Sequence, residues 1–68
     1  MASWRERHDL AARHVADVRL VIDRQRTLID RQRALGYDTA KSEDLLATFE
    51  RSQLTFEDDL ARIAKERE

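Results

Sequence analysis

The stretch IDRQRTLIDRQRALG, residues 22–36, repeats one seven-residue unit almost without change. IDRQRTL is followed directly by IDRQRAL, so six of seven positions are identical, and Gly36 comes next as the only glycine of the chain. A period of seven keeps one face of a helix turned towards a partner over successive turns, as in coiled coils. Glycine is also the residue that most often closes a helix. The stretch therefore predicts a helix that ends at Gly36.

The seven-residue spacing extends towards the amino terminus as a seam along one helix face. Residues at alternating intervals of four and three share a face, and here they are Trp4, His8, Ala11, Val15, Val18, Ile22, Gln25, Ile29 and Gln32. Ser3 and Glu6 have the spacing of a capping box, which satisfies free N–H groups at a helix start. A first helix over about residues 3–35 is expected.

A second helix is expected over about residues 39–66, after a turn at residues 36–38. Its apolar positions again share one face, and they are Leu45, Leu46, Phe49, Gln53, Phe56, Leu60, Ile63 and Ala64. We expect Tyr37 to pack over the last turn of the first helix, and Thr39, or alternatively Asp38, to cap the second. So short a loop forces two helices to lie antiparallel and adjacent. The predicted fold class is all-α, with the whole chain as a single antiparallel two-helix hairpin.

Charged residues give a register for this pairing. Arginines seven apart follow one edge of the first seam, and glutamates seven apart follow one edge of the second. Antiparallel pairing needs partner residue numbers with a constant sum. A sum of 76 satisfies this for three pairs, which are Arg33–Glu43, Arg26–Glu50 and Arg19–Glu57. We therefore predict an ion-pair ladder, which selects register more than it adds stability because exposed pairs contribute only about 0–1 kcal/mol each.

The apolar face of the first helix is broader than one partner helix covers. The apolar side chains on the edge away from the ladder are Leu10, Val21, Leu28, Leu35, Leu45, Phe56 and Ile63, and we call them the apolar flank. A long exposed apolar strip is unusual on a monomer. A second copy packed across it by a two-fold axis would complete a four-helix bundle. The sequence therefore predicts a homodimer, and a different helical protein covering the same strip is an alternative.

Glutamines interrupt both seams, at Gln25, Gln32 and Gln53. A polar side chain in a seam lowers stability but penalises wrong registers and oligomeric states. Two interpretations stay open from the sequence. Either these amides form hydrogen bonds across a dimer interface, or they lie at the edge of the seam and contact water.

Composition supports a helical protein that gains stability by association. The chain has 68 residues, no proline and no cysteine, and 40% of its residues are charged. A chain this short forms a modest core, and disulfides are excluded as a source of further stability. No signal peptide and no apolar run long enough to cross a membrane is apparent, so a cytoplasmic location is expected. The function expected is that of a self-associating interaction or scaffolding module.

No catalytic, cofactor-binding or metal site is expected. His8 and His14 are the only histidines, and six residues of helix separate them by about 120°, too far for the chelating pair formed at a spacing of four. His14 and Asp17 have the spacing of a weak ligand pair, for which an ordinary surface histidine is the simpler explanation. The serines have no histidine that the hairpin would bring near them. The sequence therefore predicts a non-enzyme.

Nucleic acid is the alternative partner. Residues 1–35 contain eight arginines against five acids, a balance of +3, whereas residues 36–68 contain five Lys or Arg against nine acids, a balance of −4. Arg13, Arg24 and Arg31 lie on the side away from the ladder, where they are candidates for phosphate contacts in a dimeric RNA- or DNA-binding regulator. A net charge of −1 and the absence of an obvious aromatic platform argue against this function.

Three short motifs together resemble a known family. They are an Arg-Gln-Arg stretch, the turn Gly36-Tyr37-Asp38-Thr39, and the run LLATFE at residues 45–50. In this combination the chain resembles a family of short proteobacterial helical-hairpin proteins for which no activity is established. The resemblance implies a helical hairpin and supplies no catalytic residues.

Overall fold

The computed structural model describes residues 2–67 and contains two helices and no strand within that range. α1 spans Trp4–Ala34 and α2 spans Ala40–Lys65. Each helix is one residue shorter at both ends than expected, because Ser3, Leu35, Thr39 and Glu66 are cap residues outside the helical turns. The all-α class is confirmed. None of the described helices is both long enough and apolar enough to cross a membrane.

α1 starts with a hydrogen bond from the backbone N–H of Glu6 to the hydroxyl oxygen of Ser3, at 3.1 Å. Ser3 itself is extended, with φ −69° and ψ 164°, the conformation in which a capping side chain reaches the first turn. Half of the expected capping box is therefore formed.

Gly36 ends α1 in the left-handed conformation, with φ +78°. The N–H of Gly36 donates to the carbonyl of Arg33 at 3.0 Å, and the N–H of Tyr37 donates to the carbonyl of Gln32 at 2.8 Å. This pair of bonds is the Schellman motif, which satisfies carbonyls at a helix end. The Tyr37 side chain is 63% exposed, so its backbone and not its ring closes the helix, contrary to expectation.

The residue expected to cap α2 does so by position but not by hydrogen bonding. Thr39 occupies the N-cap site with φ −105° and ψ 6° and makes no capping bond with its side chain. Its hydroxyl is not presented to the first turn because this backbone is not extended. The Asp38 carboxylate accepts from the N–H of Ala40 at 3.0 Å instead. Asp38, the alternative residue, is therefore the one that satisfies an amide at the start of α2.

The core lies entirely on one helix. The buried residues are Ala11, Val15, Val18, Ile22, Gln25 and Ile29, all on α1, and α2 has none. The molecule measures 50 × 20 × 14 Å, and its smallest dimension is close to the diameter of one helix with side chains, about 10–12 Å. The hairpin is therefore a single layer of two helices, and the apolar side chains of α2 stay partly exposed.

Replacing Gly36 with alanine is expected to destabilise the fold through the backbone alone. An added Cβ would meet nothing within 4 Å, whereas the left-handed conformation disfavours L-residues by about 1–2 kcal/mol. Gly36→Asn is the matched control, because asparagine tolerates this conformation better. Urea denaturation followed by circular dichroism, at one fixed protein concentration, should rank the free energies of unfolding as Gly, then Asn, then Ala. Equal stability of all three would show that the turn does not require φ above zero.

Candidate interaction surface

The three arginine–glutamate pairs of the ladder are present along one edge of the hairpin. Arg19 and Glu57 are 2.9 Å apart, Arg26 and Glu50 are 3.6 Å apart, and Arg33 contacts Glu43 through a hydrogen bond. All three pairs have the residue-number sum of 76 on which the antiparallel register was based. Their side chains are well exposed to solvent, so each pair contributes little stability. The main effect of the ladder is to set the register of α1 against α2.

A second device joins the helices at the open end, and sequence reasoning missed it. The Trp4 indole N–H donates to the carbonyl of Ile63 in the last turn of α2 at 2.6 Å, and the same carbonyl also accepts from the N–H of Glu66 at 3.1 Å. The Arg7 guanidinium binds the Glu66 carboxylate with N–O distances of 2.6 and 3.3 Å. We call these contacts the clasp. The ladder's next position would pair Ala12 with Ala64, so the clasp takes over where the charges stop.

Aromatic contacts enlarge the clasp. The His8 ring stacks on the Trp4 ring with centroids 4.9 Å apart and an angle of 24° between the ring planes. The Arg67 guanidinium carbon lies 4.7 Å from the Trp4 ring centroid, within the range of a cation–π interaction. Trp4 was expected only as a seam residue. A sequence cannot show which backbone carbonyl an indole will reach, because that depends on how the helix ends meet.

The Gln25 side chain lies within the hairpin. It is buried, and its amide nitrogen donates to the carbonyl of Ser42 on α2 at 2.9 Å. The interpretation that its amide bonds across a dimer interface or meets water is therefore wrong for Gln25. Gln53 donates to Glu57 of its own helix at 3.4 Å, while the buried side-chain oxygen of Gln32 has no partner. Gln25 thus holds the register of the turn-proximal half from inside the seam.

The apolar flank is largely uncovered. Its five aliphatic members with the greatest exposure are Leu10 at 51%, Val21 at 37%, Leu28 at 39%, Leu35 at 62% and Leu45 at 46%. Phe56 and Ile63 are half-buried. The flank is therefore most apolar in the half of the hairpin near the turn.

The open half of the flank carries a groove of about 240 Å³. Its lining combines apolar and charged side chains, namely Arg7, Leu10, Ala11, His14, Phe56, Asp59, Arg62 and Ile63. The His14 ring contacts the Phe56 ring, with centroids 5.2 Å apart. The charged groups around the groove are already engaged, because Arg7 binds Glu66 and Arg62 binds Asp59 at 2.5 Å. The groove thus offers an apolar recess with a satisfied polar edge.

The three arginines considered for phosphate contacts differ from those of the ladder. Arg13, Arg24 and Arg31 are exposed and form no ion pair with any described residue. Arg24 and Arg31 lie beside Leu28 at a shallow depression, which Asp23 and Thr27 also line. Cations beside the apolar flank are therefore available to a partner. Within residues 2–67, no three His, Asp or Glu side chains come together as metal ligands.

Comparison with known proteins returned no family model, no curated protein and no solved structure that matches the chain. The resemblance to proteobacterial helical-hairpin proteins stays a prediction based on its three motifs.

The clasp is expected to weaken in acid. The hydrogen bond from Arg7 lowers the pKa of Glu66 below its usual range. A carboxyl whose pKa is lower in the folded state adds stability above its unfolded pKa, about 4.3, and loses it as the pH falls through the folded value. Fluorescence of Trp4, the only tryptophan, should therefore change as the pH falls below about 4.

Glu66→Gln is the matched control for this titration, because its amide keeps the size of the side chain and does not titrate. The variant should lose the part of the fluorescence change that belongs to the clasp. Identical acid titrations of the two proteins would show that Glu66 does not hold the open end.

Proposed function

We propose that this chain is a non-enzymatic helical module that self-associates through its apolar flank and serves in protein interaction or scaffolding. In this proposal two hairpins form a homodimeric four-helix bundle. The observation that carries it is the single-layer fold, in which α2 has no buried residue while the flank leaves five large aliphatic side chains exposed.

The physical basis of the proposal is the need for a second layer. Helical domains bury their apolar stripes by packing at least two layers around a common core. Here the two helices lie side by side in a molecule 14 Å thick, so neither face of the hairpin has a covering layer. Apolar surface removed from water stabilises by roughly 25 cal/mol per Å². Association is therefore the route by which this chain gains the stability that its own core does not supply.

A second copy is the simplest occupant of the flank. A two-fold axis places the same surface on itself, so every apolar residue that needs cover also provides it. The ladder and the clasp are formed within one chain, which leaves the flank as the surface free to associate. A foreign helical protein bound along the same strip is the competing outcome. The absence of cysteine fits a reducing compartment, and a cytoplasmic location belongs to the proposal.

A second candidate function is nucleic-acid binding by the dimer. It is favoured by one observation, that Arg13, Arg24 and Arg31 have no acidic partner among the described residues. A dimer would present six such arginines, each able to contact a phosphate. Salt-sensitive retention of RNA that disappears on combining Arg24→Glu with Arg31→Glu would favour this function. Retention that is absent in the unaltered protein would exclude it.

A charge placed on the flank is expected to separate the dimer. Leu28→Glu puts a carboxylate in the middle of the flank, where burial of an unpaired charge is strongly unfavourable. Light scattering of the unaltered protein should give a mass near twice 8.0 kDa, and the variant should shift towards a single chain. Leu45→Glu, on α2, should act in the same direction. Helical circular dichroism at high protein concentration would show whether the variants stay folded.

Leu54→Glu is the matched control for these variants. Leu54 is 64% exposed and lies on the face of α2 away from the flank, so the same change should leave the dimer intact. A monomeric unaltered protein would overturn the proposal. So would a dimer that Leu28→Glu and Leu54→Glu weaken equally, because the flank would then not be the contact.

A further inference from the structure

The charged residues beside the flank distinguish between ways of packing two hairpins, which its apolar residues do not. Residues seven apart stay on one face of a helix, with a drift of about 20° per interval. On α1 such a line follows the outer edge of the flank as Leu10, Asp17, Arg24 and Arg31, all of them exposed. We call it the rim. Asp17, Arg24 and Arg31 make no ion pair or side-chain hydrogen bond with described residues.

Two arrangements would cover the flank with a second copy. In the first, the two-fold axis is perpendicular to the helices, so that α1 packs against α1 of the second copy and the two turns lie at opposite ends. In the second, the axis is parallel to the helices, so that α1 packs against α2 of the second copy and both turns lie at the same end. Neighbouring helices are antiparallel in both, and residues that lie level therefore have a constant number sum.

The rim is self-complementary in the first arrangement. With a sum of 41, Asp17 lies level with Arg24 of the second copy, and the two-fold axis forms this pair twice. The axis then passes close to Val21, which faces its own counterpart. Opposite charges thus meet twice where α1 packs against α1 of the second copy.

The groove supports the same arrangement. The residue numbers of Leu28 and His14 sum to 42, close to the value of 41 for this arrangement. Leu28 therefore lies opposite the groove of the second copy. The groove is lined by Leu10, His14, Phe56 and Ile63, an apolar recess on the flank that suits a leucine side chain. The exposed leucine of each copy thus finds a recess in the other.

The second arrangement lacks this complementarity. Its number sums are those within the hairpin, which are 76 for the ladder and 73 for Arg7–Glu66. At a sum of 76, Asp17 lies level with Asp59 of the second copy, and Arg24 lies level with Ser52 of the second copy. The rim then gains no pair of opposite charge, and the like charges of Asp17 and Asp59 meet twice, which is unfavourable.

We propose that two copies pack flank to flank about an axis perpendicular to the helices near Val21, with their turns at opposite ends. Asp17 binds Arg24 of the second copy, and Leu28 fills the groove of the second copy. This inference rests on the proposed self-association and adds its orientation and its contacts.

Single cysteines test the orientation, since the chain has none of its own. Val21→Cys places two thiols near the axis, where a disulfide can form with dissolved oxygen as the oxidant. At about 10 µM protein, cross-linking should be on the order of a hundredfold faster than for Leu54→Cys, because thiols held together have a local concentration of about 1 mM. When Val21→Cys and Ser52→Cys chains are mixed, fewer disulfides should form between the two kinds of chain than between two Val21→Cys chains.

A charge exchange tests the contact independently of any cross-link. Asp17→Arg or Arg24→Asp alone should raise the dissociation constant of the dimer about tenfold, because the two-fold axis removes two exposed pairs at once. The double variant should restore the original value, since it rebuilds both pairs in reverse.

The possible outcomes separate the two levels of the proposal. A protein that is monomeric by light scattering would overturn self-association itself. A dimer in which Val21→Cys reacts no faster than Leu54→Cys, while Val21→Cys and Ser52→Cys chains cross-link readily with each other, would overturn the orientation and leave self-association standing. A double variant as weak as either single variant would overturn the Asp17–Arg24 contact.

Discussion

The width of the apolar stripe on α1 is the constraint on which the rest of the structure depends. One partner helix covers only part of so broad a stripe. The remainder needs a further covering surface. The lone glycine supplies the second helix by reversing the chain at φ +78°. What the second helix leaves uncovered is the flank with Val21, Leu28 and Leu35. Folding of one chain therefore solves half of the packing problem, and association is our proposal for the other half.

Polar contacts have a separate task in this hairpin, because an apolar seam alone does not choose its register. The ladder acts on the exposed edge, Gln25 acts inside the seam through the carbonyl of Ser42, and the clasp acts at the open end. Each contributes little to stability alone. Together they penalise small shifts of one helix along the other, because such a shift would separate the charged partners of the ladder and of the clasp. The flank is thereby presented as one defined surface.

Periodicity made most of this fold predictable from the sequence. Individual hydrogen bonds to backbone carbonyls were not predictable. The helix ends and the turn follow from the cap residues and from Gly36, and the pairing of Arg26 with Glu50 follows from spacing. The capping of α2 by Asp38 does not, because it depends on the backbone angles that Thr39 adopts. The partners of Gln25 and Trp4 are backbone carbonyls, which every residue has and no side-chain pattern marks. Arg7–Glu66 was not predictable in this way, because it is the only ion pair between the helices of the described residues that has a number sum of 73.

The dependence of thermal stability on protein concentration tests the central claim most directly. If the hairpin gains its stability by pairing, mass action raises the unfolding midpoint with concentration, on the order of 10 °C for a hundredfold increase. Circular dichroism over that range would measure it. A midpoint that stays constant across the same range would contradict the account, because it would mean that one layer of two helices is stable with its flank exposed to water.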